Sequence, residues 1–400
     1  MKRLWRYVLN TAVLLACLSC LTGCFDRREL DTLGIVMGVA IDKGKDEGDT
    51  ELTVQMANPS GGKSESKGKA SKEDGGGSSG SSSAYINVSN AGKNMNFVVR
   101  EMQNKMSRRI YVAHSEVLVM SEELARAGVR DCLDFFARAA EARMTPFVFI
   151  SKGNAKDILE IEPEFEQLPS MELAKMLRDQ KVTSHAPMTT EFDFVTNLMS
   201  KTTSAVAPIV SVINDGGIER LIVSGCAVFK QSKMVGEMDE TDTRGLLFVQ
   251  GKVKNGVFLA DIQGETATIE IRDGQCKVTP ILYTDGTAEF NVREEVTVGL
   301  GDQSGTYNLA DPEHTQDLLN ASQAVIKSEI QQAVDKSKEL EADVFGFGEY
   351  IYRKYPEQWN QMKDKWDELY KNIKVNVTVV AKGDGSGRTV KPIAPDEAIQ

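Results

Sequence analysis

The chain has 400 residues, with 47 Lys and Arg against 58 Asp and Glu, a formal net charge of −11 and an apolar fraction of 41%. That length predicts two or three domains, each large enough for its own core. The acidic balance excludes nucleic-acid binding, which runs on Lys and Arg neutralising phosphates, and argues against attraction to anionic lipid.

The amino terminus opens on a basic head, Lys2, Arg3 and Arg6, followed by an apolar stretch from Tyr7 to about Leu21 and then Leu21-Thr22-Gly23-Cys24. A basic head, an apolar centre and small residues before a cut form a secretory signal peptide, residues 1–23, and the centre is shorter than the about 20 residues a bilayer crossing needs. Leu-Thr-Gly-Cys also has the shape of a bacterial lipobox, which makes Cys24 the first mature residue and the candidate lipidation site. Acyl chains contribute about 0.8 kcal/mol per buried CH₂, so two of them anchor stably. Losing the leader removes Lys2, Arg3 and Arg6 and no acidic residue, which moves the formal charge from −11 to −14.

Residues 35–41 read as a strand, and alternation predicts a second at 51–57. Residues 60–83 then change character: 16 of these 24 are Gly or Ser. Such a tract buries too little apolar surface to offset its ordering entropy, and it reads as a long flexible loop between strands, because strand character resumes at 85–88. Met95, Val98, Val99, Met102 and Met106 form a buried helix face. A strand at 109–120, a helix begun by Ser121, a strand at 147–150 and helices at 169–177 and 192–199 complete an α/β sandwich with a covered sheet. Residues 208–217 read as a domain boundary.

Beyond it the chain turns largely to β. One strand is expected at 220–229 and another near Met234. Asp273-Gly274 predicts a hairpin turn between 266–272 and 275–283, and Asp285-Gly286 predicts a second before 287–298. Pro280 belongs at a strand edge. Residues 246–249 fit helix or strand. Asp311-Pro312 predicts the start of a helix of about thirty residues. A second helix carries Tyr355, Trp359, Met362, Trp366, Leu369 and Ile373, and a strand follows at 374–380. The boundaries that result are 24–207, 218–304 and 305–383, with a polar tail at 384–400.

Little here is equipped for catalysis. His114, His185 and His314 are far apart, no Cys/His pairs stand at zinc spacing, and there is no Walker loop and no His-Glu-x-x-His motif. Cys132, Cys226 and Cys276 form an odd set once Cys24 is set aside, which argues against a disulfide scaffold. A single Cys226–Cys276 bridge stands as the alternative to buried thiols. Glu160, Glu162, Glu164 and Glu166 lack the order of a calcium loop and read as a solvated acidic edge. Gly346-Phe347-Gly348 lacks the third glycine of a dinucleotide fingerprint, with Ile351 in its place, and reads as a helix-to-helix turn. For His114 a structural hydrogen bond is favoured over a catalytic role.

Several stretches together resemble one family. Gly23-Cys24-Phe25-Asp26-Arg27-Arg28-Glu29-Leu30 resembles the mature start of the Ger(x)C spore germination lipoproteins. The stretch from Arg109 through His114 to Val119 is similar to that family's Arg-x-x-x-x-His strand. Gly225-Cys226-Ala227-Val228-Phe229-Lys230 with Lys233-Met234-Val235-Gly236 resembles its middle signature, and residues 343–348, Trp359, Trp366 and the strand at 375–379 resemble its C-terminal pattern. Departures are Phe25, where tryptophan is common, and the insertion at 60–83.

The resemblance implies a non-catalytic, lipid-anchored C subunit of a nutrient germinant receptor on the outer face of the inner spore membrane. Its partners would be the integral membrane A and B subunits, with no cofactor and no metal, and with small-molecule germinant binding left open. It also implies a three-domain α+β architecture: mixed and antiparallel sheets packed with helices, and a long helix in the C-terminal domain. The alternative function is the solute-binding lipoprotein of an importer, which usually closes two lobes on a ligand cleft.

Overall fold

The computed structural model describes residues 1–19, 30–59, 61, 83–139, 141–304, 307–309, 311 and 313–384. Cys24, Pro312, almost all of the 60–83 insertion and the tail beyond Asp384 lie outside the described residues. The leader segment forms helix α1 (Lys2–Ser19). No helix among the described residues is long and apolar enough to cross a membrane.

The first sheet grows from β1 (Leu33–Lys43), which pairs antiparallel with β2 (Thr50–Ala57), itself antiparallel to β3 (Tyr85–Gly92). Asn94 caps helix α2 (Met95–Gln103) by accepting from Phe97 N, and the helix buries Met95, Val98 and Met102 as its spacing requires. The stretch expected as one strand is two: β4 (Arg109–Tyr111) pairs with Leu33–Ile35, and β5 (Val117–Ser121) pairs with Gly38–Ile41. Between them a turn closes through Ser115 N on Val112 O at 3.0 Å. The helix expected after Ser121 is also two, α3 (Glu122–Ala127) and α4 (Arg130–Arg138), because Gly128 at φ +134° ends the first. Ser121 stands at the cap position without a side-chain hydrogen bond.

β6 (Phe147–Ser151) extends the parallel centre, and the short α5 (Ala155–Ile158), α6 (Pro169–Asp179) and α7 (Glu191–Met199) carry the chain across to β7 (Val206–Asp215). Both β5 and β6 are buried along their whole length, as a sheet covered on two faces demands. One face packs Val54, Met102, Leu133, Phe136 and Phe194; the other packs Phe149, Leu159, Leu173 and Leu177.

The segment read as a domain boundary is strand. β7 pairs with β8 (Ile218–Lys230) and β8 with β9 (Lys233–Met238), so one nine-stranded sheet runs on across residues 208–217. Pro208 and Gly217 mark strand irregularity and a hairpin turn, which compositional reading cannot tell from a linker. Helix α8 (Glu240–Val249), capped by Asp239, takes the ambiguous run at 246–249.

A second sheet holds β10 (Gly256–Ile262), β11 (Glu265–Leu282), β12 (Ala288–Gln303) and β13 (Lys374–Gly383), with β13 parallel to β12. Asp273-Gly274 is no turn; β11 runs straight through it with a register irregularity. A Cβ on Gly274 would stand 2.8 Å from Glu294 Oε1 and 2.9 Å from Val253 O, so this glycine serves close packing rather than chain reversal. The reversal falls at Gln263-Gly264, both with positive φ, as a tight hairpin requires. Asp285-Gly286 does turn the chain, with Gly286 N on Tyr283 O at 3.0 Å. Pro280 sits on the half of β11 that β10 does not reach, an open edge.

Helix α9 (Thr315–Glu339) has 25 residues, about 37 Å, and starts three residues after Pro312 with His314 as its cap. The aromatic stripe expected as one helix is two, α11 (Pro356–Met362) and α12 (Trp366–Tyr370), separated by a 3-10 turn at Lys363–Lys365, and Pro356 ends the preceding α10 (Phe347–Lys354). Trp359, Met362, Trp366 and Tyr370 are nevertheless buried, in a core that also takes Val206, Cys226, Val228 and Met238 from the first sheet. The whole is α+β, with mixed sheets packed by helices.

Candidate functional site

Most residues marked by the sequence serve packing. His114 lies in the turn between β4 and β5, exposed, with its ring 5.8 Å from that of Tyr111. The strand placement expected for it is therefore wrong, because the chain leaves the sheet there. Glu164 pairs with Arg220 at 2.6 Å and Glu166 with Lys175, which occupies two of the four acidic-edge carboxylates with cations. Cys132, Cys226 and Cys276 are free thiols. Burial pushes the Cys226 and Cys276 thiols up to about 12, away from thiolate chemistry. No group of three His, Cys, Asp or Glu side chains able to hold a metal occurs among the described residues.

Gly346-Phe347-Gly348 is the helix-to-helix turn its spacing predicts, built around a carboxylate. Asp343 accepts from Phe347 N at 2.9 Å, Gly348 N at 2.7 Å and Trp366 Nε1 at 3.0 Å. Its own carbonyl receives Ser204 N at 2.7 Å, which ties the entry to β7 to the C-terminal helices. A Cβ on Gly348 would lie 2.8 Å from the Trp359 ring and 3.0 Å from Thr202 O. Burial lifts the Asp343 carboxyl to about 6, against the pull of its three donors.

A second buried pair joins the two sheets. Arg244 on α8 forks onto Glu329 on α9, Nε to Oε2 at 2.8 Å, with the second contact from Nη2 to Oε1. Arg244 Nη1 also donates to Val257 O on β10 at 3.1 Å and stands 3.3 Å from His185 Nε2. Both partners of this ion pair are under one-tenth exposed. Such a fork is a bidentate charge-assisted pair with its remaining donors satisfied, and it holds α8, α9 and β10 in one arrangement. Sequence reading missed it, since an Arg and a Glu 85 residues apart carry no local signal. Two further carboxyls are buried: Glu294, pushed up to about 8, and Glu191, up to about 7, each with one oxygen that has no partner. Glu294 is hydrogen-bonded to the Cys276 thiol, which burial and this carboxylate hold protonated.

The feature that looks outward is a hairpin arm. Beyond Val210, β7 has no partner on its β6 side, and before Cys226, β8 has none on its β9 side. The two strands therefore project as a ribbon, Val212 opposite Leu221 and Asp215 opposite Ile218. Val212, Ile213, Ile218 and Ile222 are all exposed on it. Beside the ribbon lies a groove of about 370 Å³ lined by Ile161, Pro163, Phe165, Met176 and Leu221. Phe165 at its rim is 88% exposed. An exposed apolar patch with open strand edges is what a protein partner uses, by adding a strand or filling the groove.

Two family models cover the chain in sequence: "Spore germination protein N-terminal domain" over residues 26–212 and "Spore germination B3/ GerAC like, C-terminal" over 224–387. Among curated proteins, spore germination protein YndF of Bacillus subtilis (strain 168) is 28% identical over 403 residues, which spans 93% of this chain and 96% of YndF. Spore germination protein KC of the same organism is 28% identical over 385 residues, spanning 91% and 92%. The crystal structure of the GerBC protein superposes with a TM-score of 0.55 at 20% identity, over 89% of this chain and 100% of that one, and shows a shared fold. The chain belongs to the Ger(x)C family of spore germination proteins.

Proposed function

We propose that this chain is the non-catalytic, lipid-anchored C subunit of a nutrient germinant receptor. Cys24 carries the lipid, the body stands outside the cell membrane on the outer face of the inner spore membrane, and the partners are the integral membrane A and B subunits. Support begins with the relatives, which are spore germination proteins by name.

The observation that carries the assembly role is the arm at β7 and β8. The arm leaves apolar side chains and strand edges outside. The Arg244–Glu329 fork between the sheets also weighs against a two-lobed importer protein, because hinge closure would have to break it.

The test is crosslinking in native membranes from photoreactive residues at positions 213 and 218. Crosslinks to the A or B subunit support the reading. Crosslinks to neither, from a chain that still supports nutrient-triggered germination, would overturn it. Calorimetry of the chain against amino acids and sugars separates the importer reading, which requires tight binding by this chain alone.

A further inference from the structure

The net charge of −11 hides a local reversal. Residues 100–112, which span the end of α2 and β4, carry four basic side chains, Arg100, Lys105, Arg108 and Arg109, against Glu101 alone. The fold places this basic segment where the chain enters the body. β4 pairs with the first residues of β1, Arg109 opposite Leu33, and Gln103 at the end of α2 bonds both Arg108 O and Ile110 N. Leu33 is nine residues from Cys24, so a lipid there holds this end within about 32 Å of the bilayer at full extension.

Two of these cations are committed inside the protein: Lys105 donates to Ser89 O and Asn90 Oδ1, and Arg109 pairs with Glu141 at 3.1 Å. Arg100 and Arg108 pair with no carboxylate among the described residues. Arg100 and Arg109 also stand at the rim of an apolar cleft of about 430 Å³, floored by Val54, Ile110 and Phe136 between α2, α4 and the sheet.

We infer that the α2–β4 face rests on anionic phospholipid, with Arg100 and Arg108 against the headgroups, so that the tether and this face together fix the orientation of the body. The inference rests on the lipid-anchor reading. Its occupant is a membrane surface rather than a protein because the charge is positive, local to the tether and within its reach, in a chain that is otherwise acidic.

The test uses the chain as the cell processes it, reconstituted into phosphatidylcholine vesicles with or without phosphatidylglycerol. Tryptophan introduced by Ser107→Trp, just before β4, donates energy to a dansyl-labelled headgroup, and Ile213→Trp on the arm is the distant control. Trp359 and Trp366 are buried and supply a constant background. Transfer from position 107 is expected in phosphatidylglycerol vesicles, weak in phosphatidylcholine, and lost at about 0.5 M salt. Arg100→Gln with Arg108→Gln should lower the seated-to-free ratio by about 25-fold, at about fivefold for each basic side chain removed from an anionic surface.

Equal transfer in both vesicles, or transfer unchanged in the double variant, overturns the inference. So does transfer that appears only with the integral membrane proteins present, which would make the face a protein contact. A chain that floats with neither vesicle removes the tether and this inference with it. One that floats with both and shows no transfer removes the inference alone.

Discussion

The two ends of the first sheet face different surroundings. Ile41, Met120, Ile150 and Ile209 stand at one level across β1, β5, β6 and β7. Leu33 lies eight residues before that level and Asp215 six residues after it, a separation on the order of 45 Å along the strands. At the near end Arg100, Arg108 and Arg109 gather beside the entry from Cys24. At the far end Val212, Ile213, Ile218 and Ile222 stand exposed on an open ribbon. One sheet thus carries basic side chains at the end where the chain enters it and apolar edges at the other. The lesson is that net charge and mean composition average over surfaces that meet different partners.

Breaking the near end should have the largest effect. Cys24→Ala removes acyl chains worth about 0.8 kcal/mol per CH₂, and the chain should move almost completely from the membrane pellet to the supernatant. Retention in the pellet, with normal nutrient-triggered germination, would sink the tethered reading.

The buried Arg244–Glu329 pair holds α8 to α9, away from both ends of the first sheet. Arg244→Ala leaves Glu329 buried without its cation and should cost about 3–5 kcal/mol in urea unfolding, whereas Arg244→Met with Glu329→Leu should cost far less. Equal losses in the two variants would mean that the fork is not what holds α8 to α9.

pH probes three other buried carboxyls. Glu294 at about 8, Glu191 at about 7 and Asp343 at about 6 all sit above their ordinary values of 4.5, 4.5 and 3.8. Between each pair of values the folded state holds more protons than the unfolded one. Stability from these groups is therefore full below about pH 4 and falls as pH rises through 6 to 8. The melting temperature should decline from pH 5 to pH 9. In Glu294→Gln the decline should be shallower by an amount on the order of 4 kcal/mol, at 1.36 kcal/mol per unit over the three units from pH 5 to 8. Parallel profiles would show that Glu294 titrates normally.

The arm should respond least in stability and most in assembly. Ile213→Asp or Ile218→Asp should change unfolding free energy by within about 0.5 kcal/mol, as exposed positions do, while crosslinks to receptor partners disappear. Loss of folding would show that the arm packs inward after all.

Much of the fold was legible because its signals are local. A short apolar run placed β1, period-2 alternation placed β2 and β13, the Met95–Met102 spacing placed α2, and Asp285-Gly286 placed a turn. Asp273-Gly274 misled because the residues of a tight turn are also those of a strand irregularity, and only the neighbours Val253 and Glu294 separate the two. The break at 112–116 was invisible for a related reason: which strand sits opposite β1 at each level is not written in β1's neighbours along the chain.

By itself the sequence carried the expectation of a leader and a lipobox cysteine, many of the element types and the family resemblance, since each rests on residues within a few positions of one another. Tertiary structure decided what those residues do together. It carried the sheet across 208–217, put Asp343 under Trp366, drew Arg244 onto Glu329, and left the β7–β8 ribbon bare while gathering the basic residues of α2 and β4 at the point of entry. The reason is physical: pairing across a sheet and burial in a shared core depend on contacts between segments tens to hundreds of residues apart, and no local periodicity encodes them.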